Sequence, residues 1–176
     1  VAALERTVRD FEAEGIVASA VVADLGDPAQ RTAAIEQINA AFGLLQLKHM
    51  PHVIQRRAEI DAYYREQLAE VPGITCLPKG HQTVANHSYF PILVGPEYPL
   101  SRDALYDKLK AHGIYARRYF YPLITDFPMY RGLPFSNYRD LENAYAAASS
   151  VLCLPIYPTI KENKISEISK IICNFI

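Results

Sequence analysis

The chain has 176 residues, half of them apolar, with a formal charge of −1, which gives room for one globular domain with a real core and no basic face to favour nucleic acid. Its three cysteines, Cys76, Cys153 and Cys173, are widely spaced with no CxxC pair, which speaks against a disulfide framework and a zinc site and for a reducing, cytoplasmic setting. No apolar run approaches a membrane span, and the charged, amphipathic start VAALERTVRDFEAEG is not a signal peptide; without an initiator methionine it reads as the start of a fragment.

Residues 3–14 predict a helix, with Gly15 as its stop, and IVASAVVADL (16–25) predicts a buried strand. Asp27-Pro28 opens a further helix, with Pro28 suited to its first turn and apolar positions recurring through Ile35, Ile38, Phe42, Leu45 and Leu47. Pro51 predicts a break, since an interior proline costs about 3 kcal/mol. HVIQRRAEIDAYYREQLAEV follows as a second helix with Val53, Ile54, Ile60, Tyr64 and Leu68 on one stripe, ended by Pro72-Gly73. ITCL predicts a short strand and HSYFPILV (87–94) a longer one, in which Pro91 marks an edge or a bulge.

Ser101 caps a helix over RDALYDKLKAHG, and Gly113 closes it. GIYARRYFYP (113–122) predicts the next strand, and YPLITDFPMYRGLPFSNY a proline-punctuated loop of a length that more often serves function than not. RDLENAYAAASS then reads as a helix and VLCLPIY as a short apolar strand. The last helix opens on a capping box, Thr159 with Glu162, and buries Ile165, Ile168, Ile171, Ile172 and Phe175. From residue 74 the order is β–β–α–β–loop–α–β–α, which is a small α/β sandwich on a sheet at least partly antiparallel.

Strict alternation over residues 113–122 puts Ile114, Ala116, Arg118 and Phe120 on one face and Tyr115, Arg117, Tyr119 and Tyr121 on the other. The second face joins phenols to a guanidinium, a set that suits a phosphorylated, ring-bearing ligand. A solvated sheet face with paired tyrosines is the alternative. Arg118 on the apolar face calls for a bulge or a buried ion pair. His87 begins the neighbouring strand and is either a titrating donor and acceptor or a structural strand end. His49 and His52 have a spacing of three but no third ligand nearby, and stay surface residues. Tyr106 and Lys110 form a Y-x-x-x-K inside an amphipathic helix, with no glycine-rich phosphate loop in the chain, so the match is coincidental.

Five segments, INAAFGLLQLKHM, RRAEIDAYYREQL, NHSYFPILV, RDALYDKLKAHGIYARRYFYPLI and SSVLCLPIYPT, resemble in order the C-terminal part of the DegT/DnrJ/EryC1/StrS family, over residues ~38–176. The resemblance implies a pyridoxal-phosphate-dependent aminotransferase of fold type I, with a small α/β sandwich like that family's C-terminal domain. It implies a homodimer, or pairing with a large domain, that moves an amino group from glutamate to a dTDP-linked keto-deoxy sugar, the cofactor acting as electron sink. His87, Tyr89, Arg117, Tyr119 and Tyr121 are its implied substrate-binding wall, with no nucleic acid or membrane partner.

The departures bear on activity. The family's cofactor lysine lies upstream, and no lysine here sits in its Ser-x-x-Lys setting, so this chain is expected to hold no cofactor covalently and to be inactive alone. The G-x-N-x-[KR]-M segment is replaced by QRTAAIEQ. Residues 1–38 weakly resemble a short-chain dehydrogenase helix–strand–helix ending near Asp24, without the glycine-rich loop. The expected organisation is therefore a 1–38 extension and a 39–176 small domain. The other functional reading is a non-catalytic module that binds a nucleotide sugar or a protein partner.

Overall fold

The computed structural model describes residues 1–78, 85–134 and 141–174, and the chain divides into two compact units, Val1–Pro51 and His52–Ile176. In the first unit, helix α1 (Ala2–Ala13) ends where Gly15 predicts, with Gly15 N–H donating to Glu12 and Ile16 N–H to Phe11. The strand expected over 16–25 is absent. Ile16, Val17, Val22 and Leu25 are exposed, and the described residues of this unit offer no neighbouring strand to take up the backbone donors and acceptors. Asp24 instead accepts from Gly26 N–H, and Asp27 caps the next helix by accepting from Ala29 N–H, both at 2.9 Å.

That helix, α2 (Pro28–Leu68), runs through Pro51, so the predicted break does not occur. Pro51 forfeits the one bond its N–H would give Leu47, and a helix of 41 residues absorbs the loss. The apolar stripe Ile35, Ile38, Phe42 and Leu45 is more than half exposed, whereas Ile60, Tyr64 and Leu68 are fully buried.

In the second unit three strands form one antiparallel sheet in the order β1 (Ile74–Cys76), β2 (Phe90–Val94), β3 (Val151–Leu154). Pro91 therefore lies in the central strand, neither at an edge nor in a bulge. The register shows why it is tolerated. Cys153 exchanges both backbone hydrogen bonds with Arg117, so Pro91, opposite Cys153, turns its bonding edge the other way. On that side Ile92 pairs with Cys76, the last residue of β1, so no ladder donor is required at Pro91.

Helix α3 (Arg102–Ala111) starts on Ser101, whose hydroxyl accepts from Ala104 N–H. Helices α4 (Glu142–Ser150) and α5 (Glu162–Cys173) complete the unit. The capping box is not formed: Lys161 is the N-cap, and the Glu162 carboxylate accepts from Arg56 at 2.6 Å instead. Phe175, and Arg139 and Asp140 at the predicted start of α4, lie outside the described residues. The core gathers Tyr64 of α2, Phe90 and Ile92 of β2, Leu105 and Leu109 of α3, and Ile165, Ile168 and Ile172 of α5. Two hydroxyls pin it: Tyr64 donates to Pro155 O at 3.0 Å and Tyr98 to Ile172 O at 2.9 Å.

The stretch 113–122 is not a strand but a single antiparallel bridge between Arg117 and Cys153, on the side of β3 away from β2. Alternation holds only at its start, where Ile114 and Ala116 are buried and Tyr115 and Arg117 exposed. Phe120 then takes a left-handed φ of 46°, which ends any pleat, and the Tyr121–Pro122 peptide is cis. Likewise 87–89 does not extend β2, because His87 has a φ of 49°.

Candidate ligand-binding site

Beyond the Arg117 bridge the chain folds its aromatic side chains around a hollow of about 430 Å³, lined by Tyr89, Tyr106 and residues 116–121. The size falls within the range of small-molecule sites. Its walls are held by ring contacts: Tyr89 to Tyr119 at 5.2 Å between centroids, and Tyr119 to Phe120 at 4.2 Å.

One flank is an alternating stack of charge and ring. The Arg102 guanidinium lies 4.6 Å from the Tyr121 ring, Arg118 lies 4.8 Å from that ring, and Arg118 is also 4.6 Å from Tyr106. One oxygen of Asp103 accepts from both Arg102 Nε, at 2.9 Å, and Arg118 Nη1, at 3.2 Å. Arg118, the anomaly of the pleat, is thus ion-paired and sandwiched between phenols, with a third of its side chain in solvent. Tyr121 sits beside Arg118 rather than on the face of Arg117, because the pleat has ended by then. Tyr106 serves as a stacking surface, and Lys110 is exposed.

Arg102 gave little sequence signal. It is buried at the start of α3, where a cation opposes the helix dipole. That misplacement is the one clue available, and its explanation is across the fold: Arg102 Nη1 donates to Ala148 O at 2.8 Å and Val151 O at 3.1 Å, the carbonyl end of α4. It anchors the stack to a helix end that favours positive charge.

Of the five residues singled out from sequence, Tyr89, Arg117, Tyr119 and Tyr121 come together around this hollow, and His87 does not. His87 lines a neighbouring one with Tyr89, Asp61 and Arg65, its Nδ1 3.4 Å from Asp61 Oδ2. Asp61 also accepts from Arg65 Nε at 2.8 Å, and Arg65 donates to Leu77 O. Burial pushes the Cys153 thiol up, against the pull of Arg117, which disfavours the thiolate. Among the described residues no group of His, Cys, Asp and Glu could hold a metal ion, and no helix is long and apolar enough to cross a membrane. The lining offers phenol faces and guanidinium donors, groups suited to an anionic, ring-bearing molecule, and includes no nucleophile–base pair.

The chain belongs to the DegT/DnrJ/EryC1/StrS aminotransferase family, whose model matches residues 3–173. It is 46% identical over 138 residues to the dTDP-4-amino-4,6-dideoxy-D-glucose transaminase of Escherichia coli, covering 78% of this chain and 37% of that protein. It is 31% identical over 135 residues to the dTDP-4-dehydro-2,3,6-trideoxy-D-glucose 4-aminotransferase of Saccharopolyspora spinosa, covering 75% of this chain and 32% of that one. Among solved structures, DesI in the presence of its TDP-sugar product superposes with a TM-score of 0.66 at 32% identity, over 75% of this chain and 33% of that one. The chain thus spans about a third of the length of the relatives it matches. The family match takes in nearly all of residues 1–38, the stretch that on sequence suggested a short-chain dehydrogenase piece.

Pyridoxal phosphate chemistry needs a lysine to carry the cofactor and a group facing its ring nitrogen. Of the described lysines, Lys48, Lys110, Lys161 and Lys170 are exposed, and Lys108 is half-buried on α3. Lys164 lines a hollow, but Glu167 holds its ammonium at 2.9 Å. The described residues do not fit covalent attachment of the cofactor.

Proposed function

We propose that this chain is the small-domain part of a nucleotide-sugar aminotransferase, and that Tyr89, Arg117, Tyr119 and Tyr121 form a wall against a dTDP-linked keto-deoxy sugar. The observation that carries the reading is the convergence of phenols and a guanidinium on one hollow, in a chain 46% identical to a dTDP-sugar transaminase over most of its length. Arginine would hold the diphosphate by its planar fork, and the phenols would stack on the rings and donate to hydroxyls. In the longer protein, glutamate would supply the amino group and pyridoxal phosphate on an upstream lysine would carry it, in a cytoplasmic homodimer. Residues 1–38 would act as an extension to the 39–176 domain. His87, paired with Asp61, would support the wall through Tyr89.

The lysine inventory favours a chain that binds substrate without transaminating it. Calorimetry with a dTDP-4-keto-6-deoxyhexose should detect binding. Arg117→Ala or Tyr119→Ala should weaken it about tenfold or more, the loss of a charge-assisted bond or a stacked ring. A folded chain that gives no heat overturns the wall. A chain that takes up the yellow absorbance of bound pyridoxal phosphate and aminates the sugar overturns its inactivity.

A further inference from the structure

Beside the aromatic wall lies a second hollow of about 330 Å³, between α5, the end of β3 and α2. Its floor is apolar, formed by buried Ile114, Ile156 and Ile168, and exposed Tyr157 stands at its rim. Two arginines line it, and their electrostatic situation is unusual. Arg57 Nε is buried with no hydrogen-bond partner among the described residues. The neighbouring Arg56, by contrast, is ion-paired, with Glu59 at 3.3 Å and Glu162 at 2.6 Å. Arg117 uses its backbone on Cys153, and its side chain has no acceptor among the described residues. Lys164 is matched by Glu167, and no carboxylate lines the hollow.

A guanidinium is charged at every accessible pH, and its N–H groups need acceptors. Buried donors without one are rare in folded proteins, and each points to a missing partner. An apolar floor beneath the unmatched Arg57 donor, with the exposed guanidinium of Arg117 beside it, selects an oxyanion, for the forks, borne on a flat apolar body, for the isoleucines and Tyr157. We propose that this hollow is a second ligand site, separate from the sugar-nucleotide wall, that takes a phosphate or carboxylate group attached to a flat, largely apolar molecule. It does not rest on the sugar-nucleotide reading, although Tyr89 and Arg117 border both hollows.

NMR of the whole chain, observing the arginine Nε–H resonances, tests this with phenyl phosphate, benzoate and inorganic phosphate as probes. Phenyl phosphate and benzoate should both shift the Arg57 Nε–H resonance, and phenyl phosphate should bind more tightly than inorganic phosphate. Arg57→Gln should weaken phenyl phosphate about tenfold, since it removes a charge-assisted fork, and Lys110→Gln, exposed on α3 and outside both hollows, should leave it unchanged. Added salt should weaken it in proportion to the charge contact. Should Arg57→Gln fail to fold, Tyr157→Ala at the exposed rim replaces it, with the same weakening expected. No Arg57 shift with any probe at millimolar concentration overturns the site. Equal binding of phenyl and inorganic phosphate overturns its apolar part. If Arg57→Gln abolishes dTDP-sugar binding as well, the two hollows are one site, and the proposal of a separate one fails.

Discussion

Arg102 and Arg118 flank the same phenol, yet their contributions to stability should differ. Arg102 is buried and bonded to Asp103, Ala148 and Val151, so removing it strips a helix end of its cation and leaves two carbonyls without their donor. Arg102→Ala should cost about 3 kcal/mol or more in urea unfolding. Arg118 is a third exposed and shares its acceptor, so Arg118→Ala should cost about 1 kcal/mol or less. Equal losses would mean that the stack, rather than the buried bonds, carries the energy. At this scale the sequence announced Arg118 and concealed Arg102. A charge on an apolar face is a visible anomaly, whereas the carbonyls that satisfy Arg102 lie 46 and 49 residues further along the chain. Alternation grouped Arg117, Tyr119 and Tyr121, and Tyr89 joined them only through the family resemblance; the left-handed Phe120 that seats Tyr121 beside Arg118 left no mark in the pattern.

Elements whose ends are fixed by local chemistry were readable: α1 with Gly15, and α3 between Ser101 and Gly113. Elements that depend on a partner were not. The apolar run 16–25 has strand composition, but composition supplies no neighbour. The Thr159–Glu162 box lost its glutamate to Arg56. Pro51 was misjudged because a propensity penalty was weighed against one residue rather than against a helix of 41.

Two glycines separate backbone strain from steric clash. Both have positive φ, 74° at Gly73 and 70° at Gly113. A Cβ on Gly73 would stand 2.1 Å from Tyr98 N, but one on Gly113 meets nothing within 4 Å. Gly113→Ala should cost about 1–2 kcal/mol, the left-handed penalty alone, and Gly73→Ala clearly more, read from thermal or urea midpoints. Within α2, hydrogen exchange should divide one helix in two. Amides over 53–68, backed by buried Ile60, Tyr64 and Leu68, should be protected well beyond those over 32–50, where the apolar side chains are exposed. Uniform protection along the helix would contradict this.

For the molecule as a whole, alkaline pH is the lever that its buried phenols define. Burial pushes the Tyr98 hydroxyl up to about 12, and raises that of Tyr64 as well. An unfolded phenol titrates near 10. The unfolded chain therefore releases these protons first, and the stability they confer is whole below about pH 10 and is lost as pH rises through about 12. Urea unfolding from about pH 9 upward should show this decline, and Tyr98→Phe should flatten part of it. The α/β class was legible at this scale, as was the order of elements from residue 74 apart from the strand expected over 113–122, because they rest on periodicity and turn residues summed over many positions.

The ring-lined hollow also makes the chain its own optical probe. With twelve tyrosines and no tryptophan, its ultraviolet emission is tyrosine emission. Four of those rings, Tyr89, Tyr106, Tyr119 and Tyr121, border one hollow. A guest that settles among them should quench or shift a sizeable part of the signal with no label attached, so occupancy can be followed in a cuvette before any enzyme assay exists.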